Sequence, residues 1–396
     1  MIQITDKSKC CGCSACSSVC PQKCISMKKD SEGFLYPSIN KTECINCGMC
    51  DRICPILNPK RPDDKPEAYA VQLKDIDSLY HSASGGMFTA ISNVVSEKNG
   101  YVFGAVYDEK FMVKHFGTDD PKQFYRFRSS KYVQSDPGQC YSQVKSLLDK
   151  GEYVCYSGTP CQIAGLRSFL KKEYDNLFTV DLVCKGVASP EVLKQYTEMM
   201  TKKYGKIVGM NFKRKTYGYH SSTMSIDFAG RKSYSRGGIT DYMMRSFRAN
   251  ICMRPSCYQC SFKGESRVSD MTLFDCWHYE QLSGKKDNDK GYTAVMVHTE
   301  KGKKMLELCR SFASVEEIDL EKSVKYDGIM INNCTDQHPK REEYMYLLHE
   351  KGLESAVKFC IPVGLKEKAM DGSKRVLYKL GVLNFVKRKK GRREIK

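Results

Sequence analysis

The 396-residue sequence lacks the segments that direct a chain into or across a membrane. Its first residues, MIQITDKSK, are polar and contain no apolar stretch of the kind found in a secretory signal. No apolar run approaches the roughly 18 residues that span a bilayer. We therefore expect a cytoplasmic protein, in a reducing compartment where cysteines more often serve metal binding or catalysis than disulfide bonds.

Two kinds of recognition motif are also missing. There is no helix-turn-helix, zinc-finger or RNA-binding signature, so we do not expect nucleic-acid binding. No GxGxxG follows a predicted strand, so no nicotinamide-binding motif is visible. The formal net charge is nevertheless +18. Such a charge suits an acidic electron-transfer partner, an anionic membrane surface or a phosphate-bearing ligand.

Cysteine, in contrast, is abundant, with 21 residues. The pattern C-x2-C-x2-C-x3-C-P occurs twice, and the second copy lies 34 positions after the first. This is the spacing of bacterial ferredoxins, in which three close thiolates hold one 4Fe–4S cluster and the fourth, beside proline, ligates the other. We predict two such clusters, one held by Cys10, Cys13, Cys16 and Cys54 and the other by Cys20, Cys44, Cys47 and Cys50.

The same spacing argues against zinc, because structural zinc sites usually pair C-x2-C units that lie some distance apart. Gly12 and Gly48 fit the tight turns that aim backbone amides at cluster sulfur, whereas Cys11 and Cys24 are expected to be unligated. Two clusters of charge about −2 each would lower the net charge to about +14.

The order of predicted elements indicates an α+β and α/β architecture in two domains. Residues 1–57 form a small ferredoxin-like domain with two short strands, and the proline-rich segment 58–67 is a linker. Residues 68–361 alternate strands and helices, which predicts a mixed α/β domain with a largely parallel sheet. Within it, residues 207–236 favour antiparallel strands.

Residues 362–396 form a basic tail with an amphipathic pattern. On a helix, most of its apolar residues would form one stripe. Either this helix docks on the large domain and leaves a solvated basic end, or it contacts an anionic membrane from the cytoplasmic side. The apolar residues concerned are Val376, Leu377, Leu380, Leu383, Phe385 and Val386.

Five segments of the large domain are similar to those of a known family. They are SASGGMF (82–88), SSKYVQS (129–135), SGTPCQIAGLRSFL (157–170), DLVCKGVASP (181–190) and RPSCYQCSF…RVSDMTLFDCW (254–277). In this order, and with the ferredoxin unit in front, the chain resembles the coenzyme F420 hydrogenase/dehydrogenase β subunit family, which also includes the hydroxymethyl-chlorophyll reductases. The resemblance implies FAD and a third 4Fe–4S cluster in the large domain.

The resemblance also implies site residues. For the third cluster they are Cys252, Cys257 and Cys260, completed by either Cys161 or Cys184. For FAD they are Ser84, Gly85, Gly86, Lys131, Gly158, Thr159 and Trp277, since glycine-rich turns before helices can present amides to a pyrophosphate. Lys131, Lys185 and Asp275 are the candidate catalytic residues.

Two departures from the family pattern bear on the substrate. CHG is usual where this chain has Cys184-Lys185-Gly186, and GDFWG is usual where it has FDCWH at 274–278. These changes alter charge and room near the expected flavin or substrate. We therefore expect the electron-transfer residues to be kept, while the substrate need not be the deazaflavin coenzyme.

Two function hypotheses follow. The first is an iron–sulfur flavoprotein oxidoreductase that exchanges electrons with a ferredoxin or another acidic redox protein, and acts on a small organic substrate. That substrate is either a coenzyme F420-like molecule or a biosynthetic intermediate, for example in surface polysaccharide synthesis. The alternative is a non-catalytic relay subunit that feeds a partner enzyme. A further hypothesis, in which the clusters are purely structural, is disfavoured by the ferredoxin spacing.

Overall fold

A computed structural model describes residues 2–60, 62 and 65–383. The N-terminal unit contains helices α1 (Ala15–Val19) and α2 (Met49–Arg52), and strands β1 (Ile25–Lys29) and β2 (Leu35–Ile39). The two strands pair antiparallel, from Ile25 opposite Ile39 to Lys29 opposite Leu35. The predicted pair of short strands between the two cysteine motifs is therefore present.

The remaining elements form a mixed α/β unit. Its strands are β3 (Glu67–Leu73), β4 (Tyr101–Tyr107), β5 (Val113–Thr118), β6 (Val154–Ser157), β7 (Leu177–Leu182), β8 (Ile207–Arg214), β9 (Thr223–Phe228), β10 (Ser233–Gly237), β11 (Met271–Cys276), β12 (Tyr292–Val297) and β13 (Ala313–Glu317). Its helices are α3 (Ile76–His81), α4 (Met87–Glu97), α5 (Cys140–Asp149), α6 (Pro160–Leu170), α7 (Pro190–Tyr204), α8 (Tyr242–Arg248), α9 (Tyr279–Ser283), α10 (Glu300–Cys309), α11 (Leu320–Tyr326), α12 (Ile329–Asn332), α13 (Arg341–Cys360) and α14 (Leu365–Lys379).

Eight strands form the main sheet, in the order β13-β3-β12-β11-β7-β6-β4-β5. Only its centre is parallel, where β4, β6, β7 and β11 pair in one direction. The strands on either side are antiparallel. The prediction of a mixed α/β protein is thus confirmed, but the expected largely parallel sheet is wrong. The reason is that β5 and β12 each return directly beside the preceding strand without a right-handed crossover.

The central strands read as continuous apolar runs because both of their faces are covered. Val154, Cys155 and Tyr156 of β6 are all buried, as are five of the six residues of β7. Such burial is typical of parallel strands between two helical layers. The strands β8, β9 and β10 form a separate antiparallel sheet, as the sequence of this segment indicates.

A buried arginine fixes the N-terminal unit to the rest of the protein. The Arg254 side chain is 0% exposed, and its Nε and Nη2 atoms donate to the carbonyl oxygens of Cys10 at 2.8 Å and Leu35 at 3.0 Å. Its Nη1 atom donates to Gln134 Oε1 at 2.7 Å, and Gln134 in turn donates to the carbonyl of Cys11. Because these bonds are shielded from water, they hold the two parts in one defined arrangement.

Among the helices that the structure describes, none has both the length and the apolar character needed to cross a bilayer.

Candidate functional site

Three cavities are each lined by four or more cysteines. The outer, middle and inner cavities enclose about 370, 350 and 660 Å³. The outer cavity is lined by Cys20, Cys24, Cys44, Cys47 and Cys50, the middle cavity by Cys10, Cys11, Cys13, Cys16 and Cys54, and the inner cavity by Cys11, Cys161, Cys184, Cys257 and Cys260. The two four-cysteine sets predicted from the ferredoxin spacing therefore each surround one cavity.

The backbone of the two cysteine motifs repeats along with their sequence. Ser14 and Gly48, which begin α1 and α2, both adopt the left-handed conformation, with φ of 64° and 70°. Two residues earlier in each motif, Gly12 and Asn46 do the same, with φ of 69° and 53°. Serine in this conformation carries a steric cost of about 1 kcal/mol that glycine avoids. The shared turn geometry turns three cysteines of each motif toward one cavity.

Gly12 has a second reason to be glycine. A Cβ atom at this position would lie 2.6 Å from Gln134 Nε2 and 2.9 Å from Arg254 Nη1. Any side chain at residue 12 would thus displace the hydrogen bonds that join the N-terminal unit to the large unit.

The outer and middle cavities differ in their exposure. In the outer cavity Cys47 is exposed and Cys20 and Cys44 are half-buried. In the middle cavity Cys13 and Cys16 are buried, and Cys10 and Cys54 are half-buried. The outer cavity is therefore the one that a second protein can approach.

The inner cavity is assembled from three separated segments. Cys161 lies at the start of α6, where Thr159 caps the helix and places its hydroxyl 3.1 Å from Cys161 Sγ. Cys184 follows β7, so both residues lie at the carboxyl end of a central strand. Cys257 and Cys260 come from the 3-10 helix Pro255–Gln259 and the residue after it.

Cys252 does not belong to this group, contrary to the sequence-based expectation. It is fully buried in an apolar core that includes Val192 and Tyr344, and its carbonyl accepts a hydrogen bond from Ser189 N at 2.8 Å. The chain after Cys252 is extended, because Met253 forms a bridge with Ala188. This extension separates Cys252 from the cavity that Cys257 lines.

The outcome for Cys161 and Cys184 also differs from the expectation. The sequence interpretation treated them as alternatives for one position, whereas both line the inner cavity. The candidate ligands of the inner cavity are therefore four, without Cys252: they are Cys161, Cys184, Cys257 and Cys260.

A thin partition separates the middle and inner cavities. Cys11 and Ile56 line both cavities. The Cys11 thiol contacts the thiols of Cys13 and Cys161. The contact with Cys13 and, to a smaller extent, burial raise the pKa of Cys11 well above its usual value. Cys11 therefore joins the wall of one cysteine set to the wall of the other.

The cysteines surround space rather than converge on a point. Within the described ranges, no three His, Cys, Asp or Glu side chains are close enough to share one metal ion. A zinc ion needs four ligands at about 2.0–2.3 Å from one centre, whereas a 4Fe–4S cluster is several atoms wide. Burial raises the pKa of Cys16 and Cys184 to about 12, so these thiols are protonated at neutral pH and would release protons on binding a metal. The cavities fit clusters better than single ions.

The expected flavin residues at 84–86 have a packing role in the structure. A Cβ atom on Gly85 would lie 1.9 Å from the carbonyl oxygen of Val71, and one on Gly86 would lie 2.3 Å from the Leu73 side chain. The Ser84 hydroxyl is 2.9 Å from that of Thr293. The two glycines thus allow the turn before α4 to approach β3 and β12 closely.

Gly158 and Thr159, also expected at the flavin, lie at the turn before α6. Thr159 lines the inner cavity, and it forms a capping box with Gln162. The Gly158 amide donates to the carbonyl of Val180 on β7 at 3.0 Å. This turn therefore forms part of the wall of the inner cavity.

Asp275 and Trp277 are together, beside a buried lysine that the sequence interpretation missed. Lys213 Nζ donates to Asp275 Oδ1 at 2.6 Å and lies 4.6 Å from the centre of the Trp277 ring. Tyr219 stacks on Trp277 with ring centres 4.2 Å apart and donates to Asp275 at 3.2 Å. Burial disfavours the Lys213 charge, but Asp275 and Tyr132 outweigh it and raise the pKa of Lys213.

Lys131 and Lys185 each lie near an aromatic ring, and Lys131 Nζ is 5.4 Å from the centre of the Tyr107 ring. Tyr132, next to Lys131, stacks on Phe247 with ring centres 4.4 Å apart, and Lys185 Nζ lies 5.5 Å from the centre of the Phe247 ring. Lys131 Nζ donates to the carbonyl of Arg128 at 3.2 Å. Burial and the nearby Arg126 lower the pKa of Lys131 to about 7.

We refer to five cations of these neighbouring segments together as the basic belt, namely Arg128, Lys131, Lys185, Lys213 and Lys215. The Lys215 ammonium, also missed from the sequence, donates to the carbonyls of Leu79 and Ser84 at 2.7 and 2.6 Å. Burial lowers the pKa of Lys215 to about 7. Within the described residues, Arg128 Nε is buried without a hydrogen-bond partner. A signal for the two missed lysines is their alternate spacing in NFKRKTYGY, whose aromatic residues Phe212, Tyr217 and Tyr219 are all buried.

Three of the four lysines in the basic belt bond to the backbone rather than to a carboxylate. The hydrogen bonds of Lys131, Lys185 and Lys215 described here go to backbone carbonyls, so no acidic side chain offsets these charges through those bonds. Lys185 also lines the inner cavity.

Two family descriptions match this chain. Residues 151–323 match the carboxyl-terminal part of the coenzyme F420 hydrogenase/dehydrogenase beta subunit, and residues 9–57 match the 4Fe-4S dicluster domain. The chain is therefore similar to the coenzyme F420 hydrogenase/dehydrogenase beta subunit family over residues 151–323. The resemblance inferred from the five segments is thus confirmed, and the dicluster match supports two 4Fe–4S clusters in the N-terminal unit.

Together, the two matches indicate an iron–sulfur electron-transfer oxidoreductase that works with a redox partner or partner enzyme. No curated protein matches the chain. Among solved structures, a chain of the F420-reducing NiFe hydrogenase complex from Methanosarcina barkeri has a TM-score of 0.43 and 15% sequence identity, and the match covers 76% of this chain and 94% of that one.

Proposed function

We propose that the protein is an iron–sulfur flavoprotein oxidoreductase with three 4Fe–4S clusters and FAD. The observation that carries the proposal is the row of three cysteine-lined cavities, in which the middle and inner cavities share Cys11 and Ile56. When bound, the clusters would supply one-electron transfer and FAD would couple it to a two-electron reaction.

The inner cluster would be held by Cys161, Cys184, Cys257 and Cys260. What supports this set is that all four thiols line one cavity and that Cys252 does not. Lys263 stabilises the site by donating to the carbonyl of Cys184 at 2.8 Å. Lys185, Lys263 and Arg267 also line the cavity, and their positive charges would offset the negative charge of a thiolate-bound cluster.

FAD would be held by the basic belt, with Trp277 and Asp275 at its far end. The Lys213 ammonium, kept charged by Asp275, would favour negative charge that develops next to the Trp277 ring. Lys131, with its pKa near 7, can hold or release a proton at Nζ at neutral pH. Ser84, Gly85, Gly86, Gly158 and Thr159 would act indirectly, by fixing the turns beside these groups.

The redox partner would dock at the outer cavity. Cys47 is exposed there, and the neighbouring Ile45 is an exposed apolar residue. Lys23, Lys41 and Arg52 are exposed nearby along the chain. An acidic redox protein such as a ferredoxin suits this end because the protein as a whole is strongly basic.

The test is the composition of protein purified without oxygen. Roughly twelve iron and twelve sulfide per chain, together with one FAD, are expected. Iron near eight without flavin would leave only the N-terminal clusters and would overturn the proposal. A colourless or zinc-loaded preparation would contradict the clusters altogether.

Catalysis is distinguished from simple relay by a second measurement. An enzyme should reduce an artificial dye at a rate that depends on bound FAD and falls when Asp275 is replaced by Asn. A relay subunit should pass electrons only to its partner, and its rate should not change on removal of flavin. The substrate class, whether F420-like or a biosynthetic intermediate, can then be screened with the dye as reference.

A further inference from the structure

The C-terminal helix α14 is attached to the protein by its polar face. Asp371 is buried and accepts a hydrogen bond from Gly237 N on β10 at 2.9 Å. Arg236 and Arg375 lie 4.0 and 3.8 Å from its second oxygen. These contacts orient the helix so that the side carrying Asp371 faces the sheet.

The opposite face of the helix is apolar and exposed. Leu365, Val376 and Leu380 are 84%, 57% and 67% exposed. At 3.6 residues per turn these three fall within about 60° of one another, on the side away from Asp371. An amphipathic helix in a globular protein normally turns its apolar stripe toward the core. This helix does the reverse.

The sequence-based alternative in which the apolar stripe docks on the large domain is therefore wrong for two of its four described residues, Val376 and Leu380. Leu383 is buried and Leu377 is half-buried, whereas Val376 and Leu380 face outward. Phe385 and Val386 lie outside the described residues.

Positive charge surrounds the exposed stripe. Lys366, Lys368, Lys374 and Lys379 are all exposed. The sequence continues with six basic residues among the seven from Lys387 to Arg393. A second copy of this chain would bring like charges together on this face, which disfavours self-association. An anionic bilayer surface offers both an apolar layer and negative headgroups.

We propose that α14 binds the surface of an anionic membrane, with Leu365, Val376 and Leu380 inserted at the headgroup level. The surrounding lysines contact anionic lipid headgroups, and the Asp371 contacts keep the rest of the protein on the water side. Apolar insertion combined with basic flanks is the arrangement by which interfacial helices bind anionic lipid. The proposal does not depend on the bound cofactors.

The test is co-sedimentation of the full chain with vesicles. Vesicles of phosphatidylcholine with 30% phosphatidylglycerol are compared with pure phosphatidylcholine at about 0.1 M salt. We expect at least tenfold stronger binding to the anionic vesicles, and loss of most of that binding at about 0.5 M salt, where charges are screened beyond a few ångströms.

Leu380→Glu supplies the decisive variant, and Leu308→Glu its matched control. Both leucines are exposed on helices, but Leu308, 46% exposed, lies on α10. Leu380→Glu should weaken binding about tenfold or more, because it places a charge in the inserted stripe, while Leu308→Glu should bind like the wild type. Unchanged circular dichroism of both variants verifies the fold.

Three outcomes would overturn the proposal. Equal binding to neutral and anionic vesicles would remove the role of the lysines. Equal loss in Leu308→Glu would remove the role of the stripe. A concentration-dependent dimer in sedimentation velocity that Leu380→Glu abolishes, without vesicle binding by the wild type, would show that a second copy covers this face.

Discussion

The N-terminal unit and the inner cavity bring cysteines together in two different ways. In the N-terminal unit, eight of the ten cysteines from Cys10 to Cys54 lie in two copies of one spacing, and equivalent left-handed turns repeat in the backbone. In the inner cavity, Cys161 and Cys184 follow two neighbouring parallel strands, and Cys257 and Cys260 arrive from a distant turn. The first kind of site depends on local spacing, whereas the second depends on sheet topology. A spacing such as Cys252-x4-Cys257 can therefore mislead in the second case.

The largest expected effect tests whether Cys257 or Cys252 is a ligand of the inner cluster. Cys257→Ser should lower the iron content from about twelve to about eight per chain, since one 4Fe–4S cluster loses a ligand. Cys252→Ser, its matched control, should keep about twelve, because Cys252 lies in an apolar core. Iron and sulfide analysis of anaerobic protein measures both. Iron loss from the Cys252 variant with an intact Cys257 variant would reverse the assignment.

The next largest effect tests whether the Arg254 hydrogen bonds hold the N-terminal unit against the large unit. Arg254→Met leaves the carbonyls of Cys10 and Leu35 without their buried donor, so we expect a loss of roughly 2–5 kcal/mol in unfolding free energy. Denaturant unfolding of the anaerobic protein measures it. Arg254→Lys retains the charge but not the planar fork, so an intermediate loss is expected. A change below about 0.5 kcal/mol in both variants would mean that the units are held elsewhere.

A third prediction concerns pH and the basic belt. A phosphate beside Lys131 would raise its pKa above the value of about 7 in the free protein, so FAD binding would take up a proton. Affinity should then be constant below pH 6 and weaken by up to about tenfold per pH unit between pH 7 and 8.5. Fluorescence titration of flavin-free protein measures it.

The control for the pH profile is Lys131→Gln. This variant should bind FAD more weakly at pH 6 and show a flatter dependence above pH 7. Lys110→Gln, at an exposed loop position, should follow the wild type. Parallel profiles for wild type and Lys131→Gln would place the phosphates away from Lys131.

The smallest expected effect concerns Cys11, in the partition between the middle and inner cavities. Cys11→Ala removes a thiol that contacts Cys13 and Cys161 but is not an expected ligand. Iron should remain at about twelve per chain, while the reduction potentials of the middle or inner cluster shift by tens of millivolts, the value of one weak hydrogen bond. Redox titration followed by electron paramagnetic resonance measures the shift. Loss of four irons would instead make Cys11 a ligand.

Local patterns predicted much of the fold and part of the site. The two short strands of the N-terminal unit and the antiparallel strands within 207–236 follow from local residue patterns, and both are present. The two N-terminal cysteine sets follow from spacing alone. Such features depend on residues that are close in sequence, so the sequence contains the information directly.

Long-range features were harder to predict. The antiparallel edges of the main sheet depend on which strands become neighbours. Cys252 was misplaced because the extended bridge at Met253 depends on Ala188, which is distant in sequence. Lys213 was missed because a lysine on a strand usually faces solvent, and its burial depends on Asp275 from β11. In each case the deciding partner lies far along the chain.

The buried fork of Arg254 has a kinetic consequence. With its donors directed into the carbonyls of Cys10 and Leu35, the ferredoxin-type part has no freedom to swing between a donor and an acceptor as a tethered carrier domain would. Turnover would then be limited by the association and dissociation of a diffusing redox partner at the outer cavity. Because ionic strength governs the association rate of charged proteins, the turnover rate should depend on the salt concentration.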